Sequence, residues 1–193
     1  MTKQLLLTIS PQEALNILNG KQTLLLRKRV PKGYVGWVWL GVSKGKPFLM
    51  HAFDNTYYLH DMTEKYRKKN DLNGSIVARY WHEEVETIKY EVILPNGYEN
   101  FDGEWVDNSA YGYWLSDYII EKSMLSDYEI EGYGNGKDLY AIHISKLEIL
   151  DKPMELGEFY REEYAVMPNG VFPAFQPLTS LPSTYQYVYV EDK

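Results

Sequence analysis

The apolar positions of the opening segment predict a strand followed by a helix. Residues 4–9 read QLLLTI, a short apolar run typical of a strand. The next apolar residues recur at helical spacing and form one stripe: Ala14, Leu15, Ile17 and Leu18. Ser10 is a good N-cap, Pro11 suits the first helical position, and Glu13 stands where a capping box requires its carboxylate. Gly20 can adopt the left-handed conformation that ends a helix.

A second strand is predicted from Thr23 onward, where the helical pattern has ended. In a regular strand Thr23, Leu25 and Arg27 point one way, and the intervening leucines point the other. Residues 27–29 read Arg-Lys-Arg. We therefore expect a helix that ends in glycine to lead into a strand with a basic far end.

The longer apolar stretches predict further strands. Tyr34–Val42 is apolar on both faces, so this strand is expected to be buried on both sides. Ser75–Ile88 predicts one long strand that carries four residues on one side: Ile76, Ala78, Tyr80 and His82. Shorter or later strands are predicted over Pro47–Phe53, Thr56–His60, Leu139–Leu150 and Tyr185–Val190.

The polar and turn-rich stretches predict the connections. Asn96-Gly97 indicates a hairpin between residues 91–94 and 98–101. Ser116–Leu125 predicts a short helix with Ser116 as its cap. The other expectations are a charged helical turn over Met62–Asn70, a turn over Gly132–Gly136, a helical turn over Met154–Tyr160, and an extended proline-rich surface segment over Pro168–Pro182.

Composition limits the class of protein. The chain has 193 residues, enough for one domain with a sizeable core, and it contains 18 tyrosines and 5 tryptophans. The absence of cysteine excludes disulfides and thiolate metal sites. No apolar run reaches the roughly 18 residues of a membrane helix, and no signal-peptide cleavage pattern follows the first strand. The expected location is the cytoplasm, with no membrane partner.

Charge is distributed unevenly along the chain. Residues 1–50 contain eight lysines or arginines and one acidic residue, whereas the remainder contains 12 basic and 26 acidic residues. A basic face near Gly20 and the second strand would suit phosphate contacts. Alternatively, the lysines solvate loops and the acidic residues neutralise them. The sequence leaves both interpretations open.

The familiar catalytic and metal-binding patterns are missing. The four histidines lack the spacing of a zinc protease, since His82-Glu83-Glu84 has no second histidine four residues on. Gly132–Lys137 resembles a phosphate loop, but Glu131 and Asp138 stand at the wrong positions, so the segment is interpreted as a turn. No Gly-x-Ser-x-Gly elbow is present. We therefore predict no metal, no cofactor and no catalytic residue.

The helix-to-strand segment resembles the start of the ASCH domain, a member of the PUA-like β-barrels. The ASCH motif there reads glycine, any residue, lysine, any two residues, glutamate, any residue, arginine. Gly20 and Arg27 match it, whereas Gln22 replaces the lysine and Leu25 replaces the glutamate. The resemblance therefore keeps two of the four signature positions.

Three later segments also resemble ASCH proteins. GSIVARY, residues 74–80, looks like a strand of the family that follows a Gly-x-Val-Val phrase. Tyr140–Leu156 is similar to the closing segment of phage-type ASCH proteins, in which a strand precedes an Asp-Lys-Pro turn, and Pro182–Asp192 is similar to their final strand. Residues 89–135 have no counterpart that we can assign. The resemblance thus implies a single α+β domain over residues 1–193, a PUA-like β-barrel with short flanking helices and an aromatic-rich insertion at about 89–135, encoded by a phage or prophage.

The resemblance also implies a function and a site. ASCH proteins of this kind would bind RNA or a modified nucleobase in a cleft between the first helix, the second strand and the strand around Tyr140–Leu147. The predicted ligand-binding residues are Gly20, Lys21, Gln22, Thr23, Arg27, Lys28, Arg29, His143 and Ser145. Small ASCH amidohydrolases use a lysine and a threonine at the positions of Gln22 and Leu25, and neither residue present here can do that chemistry. An RNA-cleaving or amidohydrolase enzyme, and a phage protein that blocks a host protein, remain the alternatives.

Overall fold

The computed structural model describes residues 1–61 and 70–191, which form an α+β protein. The three helices are α1 (Pro11–Leu18), α2 (Asp117–Ser123) and α3 (Asp127–Gly134). The strands are β1 (Thr2–Ile9), β2 (Leu24–Arg27), β3 (Gly36–Val42), β4 (Phe48–His51), β5 (Tyr57–His60), β6 (Ile76–His82), β7 (Val85–Ile88), β8 (Tyr90–Leu94), β9 (Gly97–Glu99), β10 (Trp105–Asp107), β11 (Ala110–Tyr113), β12 (Leu139–His143), β13 (Ser145–Met154), β14 (Phe159–Met167), β15 (Gly170–Pro177) and β16 (Tyr185–Val190). The predicted α+β class is confirmed.

The chain folds into two compact units. The first unit comprises Met1–Lys21, Pro31–Glu83 and Ile144–Lys193, and the second comprises Gln22–Val30 and Glu84–His143. All of the segment 89–135 belongs to the second unit. That the chain is one domain with an insertion stays a prediction.

The first unit is built on a seven-stranded sheet in the order β13-β6-β3-β1-β16-β14-β15. β1 lies near the middle, parallel to β3 and antiparallel to β16. The core of the first unit combines apolar side chains of these strands with Leu156, just before β14, and Leu178, just after β15. The strand residues are Leu6, Trp39, Ile76, Phe159, Val188 and Val190. Among the described residues the end strands β13 and β15 pair with β6 and β14 alone, so the expected closed barrel is not seen.

The opening helix forms as its sequence predicts. The Ser10 hydroxyl accepts a hydrogen bond from the Glu13 amide, and the Glu13 carboxylate accepts one from the Ser10 amide. Helix α1 ends at Leu18, and Gly20 follows with φ of 71°, a left-handed conformation that glycine adopts without strain. Buried residues of α1 carry the predicted apolar stripe: Ala14, Ile17 and Leu18.

The second unit contains a three-stranded antiparallel sheet in the order β2-β12-β7. One face of it packs with residues of α2, α3 and β11 in a core made of Leu24, Leu26, Ile88, Tyr113, Ile119, Ile130, Leu139 and Ala141. The other face carries Leu25 and Ile142, which are also fully buried. Both faces of β2 are therefore apolar at its start, and Arg27 comes at its end.

Two predicted strands are each divided between different sheets. Ser75–Ile88 splits at Glu83-Glu84 because β6 pairs with β3 whereas β7 pairs with β12. The alternation predicted for β6 is confirmed, since Ile76, Ala78, Tyr80 and His82 are all buried. Leu139–Leu150 likewise splits after His143, and Lys146 has φ of 47° just beyond the break. Strand pattern alone does not show a change of pairing partner.

Several connections differ from the prediction. Asn96-Gly97 does not join neighbouring hairpin strands, because β8 pairs with β11 and β9 pairs with β10, so the two ribbons are nested. Helix α3 occupies much of the predicted turn over Gly132–Gly136, and the capping box formed by Ser126 and Glu129 is the signal that was missed. The proline-rich segment supplies β15, which pairs with β14 as a hairpin. The helical turn predicted over Met62–Asn70 falls mostly outside the described residues.

Candidate functional site

A cavity of about 320 Å³ opens in the first unit beside the end of α1. This volume lies within the range of small-molecule sites, roughly 300 to 1,000 Å³. Its apolar lining consists of Leu18, Leu72, Val77, Ile149, Leu150 and Pro153, and its polar lining consists of His51, Asn55, Tyr57 and Asp151. The lining is mixed, with polar and apolar surface in similar shares.

Two aromatic rings form one wall of this cavity. His51 of β4 lies directly opposite Tyr57 of β5, and their ring centroids are 5.0 Å apart at an interplanar angle of 32°. Both side chains are half-buried, so each keeps part of its ring open to the cavity. Burial raises the pKa of the Tyr57 hydroxyl above its ordinary value. The hydroxyl is therefore neutral at physiological pH and can donate or accept a hydrogen bond.

The end of helix α1 fixes the position of Tyr57. The side-chain amide of Asn19, the C-cap residue, donates to the Tyr57 carbonyl at 2.9 Å, and the Tyr57 amide donates to Asn19 Oδ1 at 3.2 Å. This pairing imitates a strand contact and joins the helix end to the β4–β5 hairpin. The tyrosine ring is thus held by its backbone from one side.

The acidic side of the cavity comes from β13. Asp151 lies in the Asp-Lys-Pro sequence, which was expected to form a turn, yet β13 continues through it to Met154. The strand pairing shifts register between Ile149 and Met154, so this stretch is irregular and leaves its backbone partly unpaired with β6. An exposed carboxylate at Asp151 and an amide at Asn55 face the same cavity.

The sequence-predicted site residues are divided between the two units. Gly20, Lys21 and Ser145 belong to the first unit, and the others belong to the second. The Ser145 hydroxyl donates to the Trp81 carbonyl at 2.8 Å, which ties β13 to β6. Gln22 is only 4% exposed, and its side-chain amide donates to the Leu24 carbonyl at 3.1 Å. Thr23 and Lys21 are exposed, and the Thr23 amide donates to the Lys122 carbonyl.

Arg27 stands in a polar row across the three-stranded sheet. Tyr140 lies opposite it on β12, and Thr87 lies opposite Tyr140 on β7, so the three side chains share one face. The Arg27 guanidinium donates from Nη1 to the Leu26 carbonyl at 2.7 Å, and the residue is half-buried. Lys28 and Arg29 follow it as exposed residues, with Lys28 Nζ 5.1 Å from the centroid of the Tyr133 ring. Sequence reasoning did not single out the row that Tyr140 and Thr87 complete.

His143 lies on the opposite face of the same sheet. Its ring stacks on Tyr118 of α2, with centroids 6.1 Å apart at an interplanar angle of 23°. Its amide donates to the Glu84 carbonyl at 3.3 Å. His143 lies opposite Leu24, which is three residues from Arg27 along β2. Because side chains alternate along a strand, His143 and Arg27 point to opposite faces of the sheet.

Within residues 1–61 and 70–191, no cluster of three or more histidine, aspartate or glutamate side chains could hold a metal ion. None of the helices in the described part of the chain has the length and apolarity required to cross a membrane.

Comparison with known proteins gives matches among solved structures alone. No protein-family model and no curated protein matches this chain. The crystal structure of ASCH from Zymomonas mobilis matches 95% of this chain and 85% of its own, at 15% identity and a TM-score of 0.49. A serine-to-alanine mutant of that protein matches 95% of this chain and 86% of its own, at 12% identity and a TM-score of 0.48. A tyrosine-to-phenylalanine mutant matches 79% of this chain and 75% of its own, at 12% identity and a TM-score of 0.44. The solved structures to which this chain is similar are thus ASCH proteins.

Proposed function

We propose that the protein binds RNA or a modified nucleoside by accepting a base in the cavity beside Tyr57. The observation that carries this proposal is the combination of an aromatic wall with a carboxylate and an amide in one pocket of about 320 Å³. Bases recognised in single strands stack on aromatic side chains and form hydrogen bonds through their edges. The resemblance of the sequence to ASCH domains suggests the same class of ligand.

The polar lining suits the edge of a nucleobase. A carboxylate such as Asp151 accepts hydrogen bonds from an exocyclic amino group, the pairing that acidic side chains make with cytosine N4. The Asn55 amide offers both a donor and an acceptor, and the Tyr57 hydroxyl offers either. Stacking on one aromatic ring contributes about 1 to 3 kcal/mol per base. A base with an amino group therefore matches the pocket better than one without.

Independently of the cavity, the basic end of β2 in the second unit is proposed to contact phosphates. Lys28 and Arg29 are exposed, and Arg27, whose Nη1 donates to the Leu26 carbonyl, adds a third positive charge beside them. These three residues are half of the six basic residues in the second unit, which also has thirteen acidic residues. Removing one of them should weaken RNA binding without changing base preference, as expected for backbone contacts.

Burial of the motif positions supports binding over hydrolysis. Leu25 is fully buried and Gln22 uses its amide on the local backbone, so the pair that acts in ASCH amidohydrolases has no equivalent at these positions. Glutamine does not titrate and leucine has no heteroatom, which leaves no nucleophile-activating pair there. A phage or prophage origin, suggested by the resemblance of Tyr140–Leu156, belongs to the same proposal.

The test measures binding of a short, labelled, mixed-sequence single-stranded RNA by fluorescence anisotropy at several salt concentrations. We expect Tyr57→Phe to lose only the contact of the hydroxyl, and Tyr57→Leu, which also loses the stacking ring, to bind about tenfold more weakly than wild type. Arg27→Ala should lower the salt slope by about 0.7, the value for one phosphate of a single strand. Arg161→Ala, a basic residue of β14 paired with Glu163, is the matched control for lost charge.

Two results would overturn the proposal. If the wild-type protein binds neither RNA nor free nucleosides, the proposed function is wrong. Equal binding by wild type and Tyr57→Leu would show that the cavity does not take a base. If Arg27→Ala keeps the wild-type salt slope, the basic end of β2 is the wrong place for the phosphate contact.

A further inference from the structure

We propose that the nested hairpin formed by residues Tyr90–Tyr113, here called the acidic arm, binds an arginine- or lysine-rich protein segment. The acidic arm belongs to the second unit, and its strands are β8, β9, β10 and β11. This function differs from nucleic-acid binding and uses different residues. The order, the charge and the exposed aromatic surface of the arm suit such a partner.

Hydrogen bonds give the acidic arm a defined shape. At the junction of its two ribbons the Asn96 amide donates to the Ser109 hydroxyl at 3.0 Å, and the Asn108 amide donates to the Asn96 carbonyl at 2.9 Å. At the tip Asn100 Oδ1 accepts from the amides of Asp102 and Glu104, at 3.0 and 2.9 Å. Such side-chain caps set turns as a backbone contact would. The arm therefore presents its side chains in fixed positions.

The exposed surface of the acidic arm is aromatic to an unusual degree. Phe101 at the tip is fully exposed, and Trp105 is 70% exposed. The Trp105 ring lies against Gly97, where an added Cβ would be 2.6 Å from the ring atom Cε2, so glycine allows the ring to settle on the backbone. Leu94, Tyr98 and Tyr111 extend the exposed surface along the arm. Exposed aromatic patches of this kind mark interaction sites.

The charge around these rings has one sign. Residues 90–113 contain five acidic residues and no lysine, arginine or histidine: the acids are Glu91, Glu99, Asp102, Glu104 and Asp107. Hydrogen bonds from Ser109 and Tyr111 lower the pKa of Asp107, which keeps this carboxylate ionised. The field of such a segment repels phosphates and attracts cations.

Aromatic rings next to carboxylates match the chemistry of arginine and lysine side chains. A guanidinium or ammonium group is attracted to the face of a tryptophan or phenylalanine ring, with about 0.5 to 2 kcal/mol per contact. Neighbouring carboxylates such as Asp102 and Glu104 then supply charge complementarity, which steers association and selects the partner. A basic, extended or loop segment of another protein is thus the occupant that the arm fits.

The test uses the full chain and a short labelled peptide of alternating arginine and glycine, with a glutamate–glycine peptide as the reference. We expect the arginine peptide to bind and the glutamate peptide not to bind, with affinity falling as salt rises. The double variant Phe101→Ala/Trp105→Ala should bind at least about tenfold more weakly, as for central aromatic residues of interfaces. Asp102→Asn/Glu104→Gln should bind more weakly and show a smaller dependence on salt.

The control is Tyr164→Ala/Glu163→Gln, which removes an exposed ring and a carboxylate from β14 in the first unit. It should change the affinity by less than about twofold, because surface contacts outside an interface contribute little. If the control and the arm variants lose peptide affinity equally, the effect comes from the overall charge of the protein and the proposal is wrong. The proposal is also wrong if the wild-type protein does not bind the arginine peptide. Loss of RNA binding in Phe101→Ala/Trp105→Ala would make the arm a nucleic-acid surface and overturn it too. Failure of RNA binding in the wild type alone would leave the peptide result unaffected.

Discussion

Asn19 and Tyr57 are joined by two hydrogen bonds of opposite direction, at 2.9 and 3.2 Å, between a helix C-cap and the strand that lines the cavity. The helix-capping residue thereby also sets the position of an aromatic ring in the proposed pocket. A short capped helix is a local feature of sequence, whereas its pairing with β5 depends on the tertiary fold. The relationship connects the stability of α1 with the geometry of the cavity.

Asn19→Ala should lower both stability and RNA affinity. It leaves the Tyr57 amide and carbonyl without their partners, at a cost of about 1 to 3 kcal/mol in the free energy of unfolding. Chemical denaturation and RNA anisotropy on the same variant measure the two effects. Gln12→Ala, which removes an exposed contact to Asn16 on the same helix, is the control and should stay within about 0.5 kcal/mol of wild type. If Asn19→Ala is less stable but binds RNA with unchanged affinity, the helix cap does not influence the pocket.

Gly134→Ala should be strongly destabilising, whereas Gly132→Ala in the same helix should be tolerated. An added Cβ at Gly134 overlaps the Tyr113 hydroxyl, which donates to the Lys137 carbonyl at 2.7 Å, but a Cβ at Gly132 meets nothing within 4 Å. Gly132→Ala is expected to raise the free energy of unfolding by about 0.5 to 1 kcal/mol through helix propensity. Thermal unfolding of both variants distinguishes them.

The clash at Gly134 can be tested by removing its partner. In the background Tyr113→Phe the hydroxyl is absent, so Gly134→Ala should cost less there than in wild type. A double-mutant cycle measures this difference. Additive effects of the two substitutions would mean that the helix end, and not the hydroxyl, resists the methyl group.

His82 should make stability depend on pH on the acidic side of neutrality. It is 2% exposed beside the rings of Tyr34 and Tyr80, and within the described residues its Nδ1 atom has no hydrogen-bond partner. Burial lowers its pKa below the ordinary value. The unfolded chain therefore takes up the proton first as the pH falls, so stability is full above the unfolded pKa and declines between the unfolded and the folded pKa.

His82→Phe removes this titration and should flatten the decline. The measurement is the free energy of unfolding from chemical denaturation at a series of pH values from neutral to mildly acidic. The wild type measured over the same pH series is the reference. A slope in His82→Phe as steep as in wild type would contradict the assignment.

Arg79 should stabilise the protein through its aromatic contacts in addition to its ion pair. Its guanidinium lies 4.3 Å from the Trp37 ring centroid and bonds to Glu148 at 2.7 Å, with the side chains 30% and 49% exposed. An exposed pair of this kind contributes about 0.2 to 1 kcal/mol, and a cation over a tryptophan adds about 0.5 to 1 kcal/mol. Arg79→Ala should therefore destabilise the protein more than Glu148→Gln, by thermal unfolding in moderate salt. Equal losses would assign the whole effect to the ion pair.

Local signals in the sequence predicted the elements that depend on neighbouring residues. The capping box of Ser10 and Glu13 predicted α1. The alternation of side chains along a strand predicted that Ile76, Ala78, Tyr80 and His82 share one face, and all four are buried. What could not be predicted were changes of pairing partner, such as the break between β6 and β7, because the spacing of apolar residues does not show with which strand a segment pairs. The nested ribbons of the acidic arm were missed for the same reason, since Asn96-Gly97 is a turn signal irrespective of which strands pair.

The candidate site could likewise be predicted from the sequence only in part. The sequence drew attention to Arg27 and to the Asp151-Lys-Pro stretch, both of which come from motif resemblance. Nothing in the sequence indicated that His51 and Tyr57 lie side by side. Their contact depends on a short hairpin, and the sequence of its two strands was compatible with either strand or loop. The motif position of Gln22 predicted a ligand-binding residue. Its side chain is only 4% exposed, and this burial results from tertiary packing, which the sequence does not show.

The proposal that a base enters the cavity beside Tyr57 is tested most directly by photocrosslinking. Single-stranded RNA that contains 5-iodocytidine, whose base keeps the exocyclic amino group, is irradiated with the wild-type protein, and the modified peptide is identified by mass spectrometry. The account predicts a crosslink within residues 51–57, suppressed in Tyr57→Leu and by excess unlabelled RNA. Crosslinks confined to other segments, with residues 51–57 unmodified, would contradict it.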